Sequence, residues 1–312
     1  MHTLTSLLTP ALQLPPVPKW IAVRQRFEQF HRNLALTALQ QQDAHTKRAG
    51  VVSCLNRRYY GTSSATDNSF VIGSWGKGTA IRPPRDIDLY CLLPVNVHQR
   101  FEVYVGNRQS ALLQEVKNVL KNTYPDTEMR GDGQVVIVGF NSFDVEVAPA
   151  FLLTNGRYWI CDTHDGGSYK ETDPWAEVRQ LDSADQANSR NLRPLIRMLK
   201  MWQDYCSVPI KSFQLELVAT DFLAQSPWRY QDFFWYDWLI RDFFAYLHAR
   251  ATSFVFVPGS FEPIYLGNEW QSRTESAYWR AEKACRYEEL NLVAAAGDEW
   301  QKIFGQQIPR IA

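Results

Sequence analysis

The sequence predicts an α+β fold in two lobes, a mixed sheet with helices followed by a helical half. Three observations carry that prediction. Apolar residues alternate at period two in short segments between residues 69 and 147, as strands require. Ahead of them, Trp20, Val23, Phe27, Phe30 and Leu34 recur at steps of three and four, the period of an amphipathic helix. After about residue 185 the alternation stops and helical spacing takes over. The expected division is therefore 1–185, a bracing N-terminal helix with the mixed core, and 186–312, a helical lobe.

Taken in order, the first stretch (MHTLTSLLTPALQLPPVPKW) is mildly apolar but lacks a basic n-region and is broken by prolines, which argues against a signal peptide. The helix from Trp20 is followed by Val52, Leu55 and Tyr59, which keep helical spacing up to Gly61. A polar loop, TSSATDNS, then leads into the strand-like SFVIGS. In DIDLYCLLP, Ile87, Leu89 and Cys91 take one face of a strand, and Asp86, Asp88 and Tyr90 the other. Leu112, Leu113, Val116 and Leu120 mark a helix over 111–120. QVVIVGF and FDVEV are two apolar strands separated by Asn141 and Ser142, a hairpin signature, with Pro149 ending the second. In NLRPLIRMLKMWQDYC, Leu192, Leu195, Ile196, Leu199 and Trp202 share one helix face. Pro194 falls in its first turn, where a missing N–H matters little. SFQLELVATDFLA, WYDWLIRDFFAYLHARA and residues 276–304 supply the remaining helices.

Composition narrows the function. Lysine plus arginine equals aspartate plus glutamate, 33 of each, so bulk electrostatic coating of nucleic acid is disfavoured and no stable nucleic-acid partner is expected. The five cysteines are far apart with no CxxC, which reads as free thiols in a reducing cytosol. No apolar run reaches the ~18 residues of a membrane span. The expected location is the cytoplasm.

Chemistry concentrates in GSWGKGTAIRPPRDIDL, residues 73–89. Asp86 and Asp88, at i and i+2 on a strand, present two carboxylates to one side. Like charges at ~4 Å repel by about 4 kcal/mol at an effective dielectric near 20, so the pair either protonates or holds a cation. A hard divalent ion is the natural partner of such a pair. Asp144 opens a later strand; if that strand lies beside the first, three carboxylates converge, the ligand set of two-metal phosphoryl or nucleotidyl transfer. Glu146 reads as a solvated or supporting acid rather than a ligand. Gly73, Ser74, Gly76, Gly78 and Thr79 suggest a turn whose amides and hydroxyl approach phosphate oxygens. Neither the P-loop spacing nor GxGxxG in a βαβ unit is present. In the helical half, Arg193, Arg197 and Lys200 line one flank of the apolar face at steps of four and three. Lys200 is read as a cation for a triphosphate, Arg197 as an ordinary solvated flank. Ser212 is compatible with a helix N-cap.

Together these residues resemble a nucleotidyltransferase of the DNA polymerase β superfamily. More narrowly they resemble the cGAS/DncV-like nucleotidyltransferases (CD-NTases) of bacterial CBASS anti-phage systems. The glycine–serine, Gly-Thr-Ala-Ile and DxD elements occur in order. FDVEVAPAF resembles the strand with the third acid, LIRMLKMW and KSFQLE the triphosphate-holding helices, and TDPWAEV the segment between the lobes. The ordered resemblance covers roughly residues 50 to 225. It implies Asp86, Asp88 and Asp144 as catalytic metal ligands for two Mg²⁺ ions (or Mn²⁺). It implies Gly73 and Ser74 as donor-phosphate contacts, and Lys200 and Ser212 as nucleotide contacts. The implied substrates are ATP or other NTPs, the product a cyclic di- or trinucleotide messenger read by a separate effector. A linear oligonucleotide synthase, an RNA-tailing or protein-modifying nucleotidyltransferase, and a non-catalytic nucleotide-binding protein are the alternatives. The late loop FEPIYLGNEW departs from the Asp-Pro segment with paired asparagines of many relatives.

Overall fold

The computed structural model describes residues 20–312; the proline-broken stretch before them, including the signal-peptide reading, lies outside the described residues. The helix expected from Trp20 is helix α1 (Val23–Leu34), and after a break at Ala35–Thr37 a second helix, α2 (Ala38–Tyr60), continues to Gly61. Thr37 caps α2 in a reciprocal box with Gln40, and Gly61, at φ +69°, ends it in the left-handed conformation.

The strands are β1 (Ser69–Val71), β2 (Asp86–Leu92), β3 (Glu128–Asp132), β4 (Val135–Gly139), β5 (Asp144–Leu152), β6 (Tyr158–Asp162) and β7 (Ser168–Thr172). They form one mixed sheet in the order β1-β2-β5-β4-β3, with β6 joining the far half of β5 and β7 flanking β6. The expected hairpin is β4–β5, with Gly139 opposite Asp144. The pairing that matters most is β2 beside β5, which is parallel. Between β1 and β2 a single helical turn, α3 (Gly73–Gly76), replaces the open glycine loop expected from the sequence. Helices α4 (Val95–Glu102) and α5 (Arg108–Thr123) follow β2.

The period-two pattern of β2 decides which face is which. Leu89 and Cys91 point into a core with Val145 and Val147 of β5, closed by Val51, Val52 and Leu55 of α2 and Leu112, Leu113 and Val116 of α5. The opposite face keeps Asp86, Asp88 and Tyr90, so covering one side with helices leaves the carboxylate side for a second lobe.

That lobe begins after α6 (Pro174–Ala187), capped by Asp173 with Pro174 in its first turn. It contains α7 (Leu192–Tyr205), α8 (Ser212–Gln225), α9 (Tyr236–His248), a short hairpin of β8 (Phe254–Phe256) and β9 (Pro263–Tyr265), α10 (Gln271–Glu289) and α11 (Val293–Phe304). The expected helical region 276–304 is thus two helices, parted at Leu290–Leu292. Trp202, Trp270 and Trp300 are fully buried in its core, each contributing roughly 1.5–3 kcal/mol or more of hydrophobic stabilisation. Val23, Phe27, Phe30 and Leu34 of α1 belong to that same core, although their sequence position is with the first lobe.

Two ionisable side chains are fully buried in this lobe. Arg26 of α1 is fully buried and donates to Glu288 (2.8 Å), Val293 O (2.8 Å), Arg310 O (2.9 Å) and Pro309 O. Asp237 of α9 is also fully buried, and neither carboxylate oxygen has a partner among the described residues. Burial pushes its pKa up to about 8, with Glu288 adding to the rise and Arg241 opposing it. A raised carboxyl binds its proton more tightly when folded, so stability falls as pH climbs from about 4 through about 8. Asp237→Asn should therefore gain on the wild type across that window and stop gaining above it. Melting temperatures at pH 5, 7 and 9 check this; a constant difference would contradict it.

Candidate active site

The β2–β5 register builds the site. Asp86 lies directly beside Asp144, and Asp88 beside Glu146. Parallel neighbours are ≈ 4.8 Å apart and point the same way, so four carboxylates share one face. Asp86 and Asp88 line a cleft of about 350 Å³ between the lobes, with Ser74, Lys77, Lys200 and Ser212. Asp144, although paired with Asp86, is not among the residues lining the cleft; its carboxylate lies against Gly139, where an added β-carbon would be 3.7 Å from Oδ1.

Crowding and burial dominate the electrostatics. Asp88 is pushed up to about 6 by burial and then by Asp86, while Lys77 and Lys200 pull it down. Asp86 is raised by burial, with Lys200 opposing. Glu146 rises to about 7 through burial and then Asp88, Asp86, Asp132 and Asp144, so of the two readings, solvated or supporting acid, its surroundings agree with the second. Among the described residues no three metal-ligating side chains converge to coordination distance; the register spaces the carboxylates along β2 and β5. The donor set is nonetheless all hard oxygen and short of positive charge, which fits a divalent cation such as Mg²⁺.

The glycine turn works differently from the expected cradle. Gly76 N–H donates to Ile72 O, Lys77 to Gly73, Gly78 to Trp75 and Thr79 to Ser74, so its second half has no amide left for a ligand. The free amides, among the described residues, are those of Gly73, Ser74 and Trp75. Gly73 adopts φ +57° and lies so close to Asp88 that a β-carbon would collide with its carboxylate.

Lys77 was not legible as a site residue. It is buried in the cleft wall, paired with Glu216 (2.6 Å) and Glu177 (3.1 Å), over the Phe213 ring at 4.6 Å. Lys200, the cation expected for a triphosphate, lines the cleft; its Nζ donates to Thr79 Oγ1 (3.1 Å) and Thr79 O (3.3 Å), and burial lowers its pKa to about 8. Ser212 opens α8 rather than capping it; its hydroxyl donates to Gln203 Oε1 at 2.7 Å and faces the cleft. Arg193 is neutralised by Asp182 and Asp185 (2.8 Å to the latter). Arg197 is partly buried, its Nη2 donating to Gly78 O at 2.8 Å.

Residues 21–185 match the family model of the Second Messenger Oligonucleotide or Dinucleotide Synthetase domain, which spans more than half of the chain and contains all four strand carboxylates. The chain belongs to this family. It is a cGAS/DncV-like nucleotidyltransferase by family and by fold. It is 22% identical over 199 residues to a probable cyclic nucleotide synthase of Bacillus cereus strain VD146, a match covering 60% of this chain and 58% of that protein's length. The apo form of Vibrio cholerae DncV superposes with a TM-score of 0.71 at 13% identity, covering 92% of this chain and 96% of that one. Escherichia coli MS115-1 CdnC, solved with ATP, gives 0.63 at 18% identity, covering 93% and 99%. At these identities the likeness to solved structures shows the two-lobed polymerase β-like fold.

Proposed function

We propose that the protein joins NTPs into a cyclic di- or trinucleotide messenger by metal-dependent nucleotidyl transfer, releasing pyrophosphate. The observation that carries this reading is the parallel register that sets Asp86 and Asp88, which line an interlobe cleft, beside Asp144 and Glu146 on one sheet face. Family membership and the likeness to CdnC, which is solved with ATP, support NTPs as substrates.

In this proposal Asp86, Asp88 and Asp144 hold two Mg²⁺ ions (Mn²⁺ substituting). When bound, the metal supplies Lewis-acid stabilisation of the attacking and leaving oxygens. Gly73 and Ser74 offer amide and hydroxyl donors to the donor phosphates beside Asp88. Lys200 and Ser212 meet the triphosphate from the helical lobe. Asp144, beside Asp86, orients the acceptor ribose hydroxyl and takes up its proton as that oxygen bonds to the α-phosphorus and the bond to pyrophosphate breaks. A further round closes the ring. The five free cysteines, four of them buried, agree with a cytoplasmic setting. Among the described residues no helix is long and apolar enough to cross a membrane. In the cell the product would signal to a separate effector in anti-phage defence.

Incubation with the four NTPs and Mg²⁺, followed by phosphatase and mass spectrometry, tests the reading. A phosphatase-resistant oligonucleotide is expected; full sensitivity would point to a linear product, and labelled RNA to tailing. Lys200→Ala should raise KM for NTP about tenfold, the value of one charge-assisted contact, with a smaller effect on kcat. Unchanged kinetics with a lowered melting temperature would leave Lys200 only its bond to Thr79.

A further inference from the structure

Three cations on one helix hold three consecutive carbonyls of the glycine turn. Arg193 Nε donates to Lys77 O at 2.9 Å, Arg197 Nη2 to Gly78 O at 2.8 Å, and Lys200 Nζ to Thr79 O at 3.3 Å. Positions i, i+4 and i+7 of an α-helix form one stripe, so α7 presents the three donors as a ladder. On its other side the turn is pinned by Lys77, whose ammonium sits between Glu177 of α6 and Glu216 of α8. The turn's own amides are bonded back to Ile72, Gly73, Ser74 and Trp75. Residues 72–79 therefore move as one piece, and that piece carries Ser74 and the Gly73 backbone that touches Asp88.

The three rungs are not equivalent. Arg193 has two acids of its own, and Lys200 lines the cleft. Arg197 has neither: among the described residues it forms no ion pair, and its buried Nε has no partner. Burial and the neighbouring Arg193 both lower its pKa, so the charge is held at a loss. An apolar side chain would fill that position more favourably for folding alone.

We propose that Arg197 is a positioning residue for nucleotidyl transfer: by holding Gly78 O to the helical lobe it fixes the Gly73–Thr79 unit, and with it the free amides, against Asp88. This rests on the function proposed above. It differs from a phosphate contact, because the guanidinium acts on the turn's carbonyl and not on substrate.

The test is Arg197→Met and Arg197→Lys in the full chain. Arg197→Met should lower kcat tenfold or more while KM for NTP changes less than about threefold, since nucleotide contacts remain and geometry at the reacting phosphate is lost. Arg197→Lys, which keeps one donor, should recover part of kcat. The melting temperature of Arg197→Met should equal or exceed the wild type, whereas a structural role would lower it and leave turnover per folded molecule intact. Without substrate, hydrogen exchange of the Gly76–Thr79 amides should quicken about tenfold in Arg197→Met and stay unchanged elsewhere. Unchanged exchange, or unchanged kcat beside an active wild type, overturns the inference alone. A wild type that releases no pyrophosphate from any NTP overturns the proposed function and this inference with it.

Discussion

Asp88→Asn should fold, melt higher than the wild type above pH 6, and lose nearly all pyrophosphate release. Two physical effects meet in this residue. Burial and Asp86 raise its pKa to about 6, so ionising Asp88 in the folded state costs more than in the unfolded chain. The sign follows: stability is lost as pH rises from about 4 through about 6, and an asparagine avoids that loss. The same negative charge is what a divalent cation would bind, so the amide should cut kcat by about 10²–10³-fold or more, the scale of losing a preorganised electrostatic group. Mg²⁺ alone should raise the melting temperature of the wild type at pH 8 and leave that of Asp88→Asn unmoved. Folded Asp88→Asn with wild-type turnover would remove Asp88 from the chemistry. A variant that melts lower would mean that Asp88 makes a favourable contact not visible in the structure.

Arg26→Met should produce the largest loss of stability among the substitutions considered. The guanidinium donates to Glu288 and to three backbone carbonyls, all in the interior. Methionine would fill most of the volume but leave Glu288 buried without its partner. Burial already raises the pKa of Glu288, with Arg26 as the main opposing influence, so the variant would force a proton onto it. Breaking one side of a buried pair costs about 3–5 kcal/mol, which lowers the melting temperature by on the order of 10 °C. Calorimetry at pH 7.5 measures this. Arg26→Met/Glu288→Leu should recover part of the loss, because the stranded charge goes with its partner. A single variant melting within about 2 °C of the wild type would mean that water enters and solvates Glu288.

The sheet face with the acids could be read from period two alone. Asp86 and Asp88 alternate with apolar Ile87, Leu89 and Cys91, and burial sorts them as that alternation requires. That Asp144 would stand beside Asp86 was a condition in the sequence reading, because strand order depends on long-range pairing that no local pattern encodes. The form of the glycine turn is hidden for a related reason: glycine signals permitted backbone angles, not which amides stay free, and here those of residues 76–79 close a helical turn. Lys77 escaped notice because its partners lie 100 and 139 residues away. Arg197 reads as a solvated flank because helical spacing reports a face, while the lobe that covers that face comes from elsewhere in the chain. Strands β3, β6 and β7 are short and largely polar or flanked by turns, so their periodicity was too weak to detect.

The Arg26–Glu288 contact joins positions 262 residues apart, which makes the helical lobe a discontinuous unit. An excised fragment starting near residue 186 would lack α1 and expose the groove in which Phe27 and Phe30 now sit against Trp300 and Phe304. During synthesis that groove cannot close until α10 and α11 have left the ribosome, so α1 waits unpaired through most of translation. Such high sequence separation predicts slow completion of this lobe, behind a sheet lobe whose partners arrive earlier.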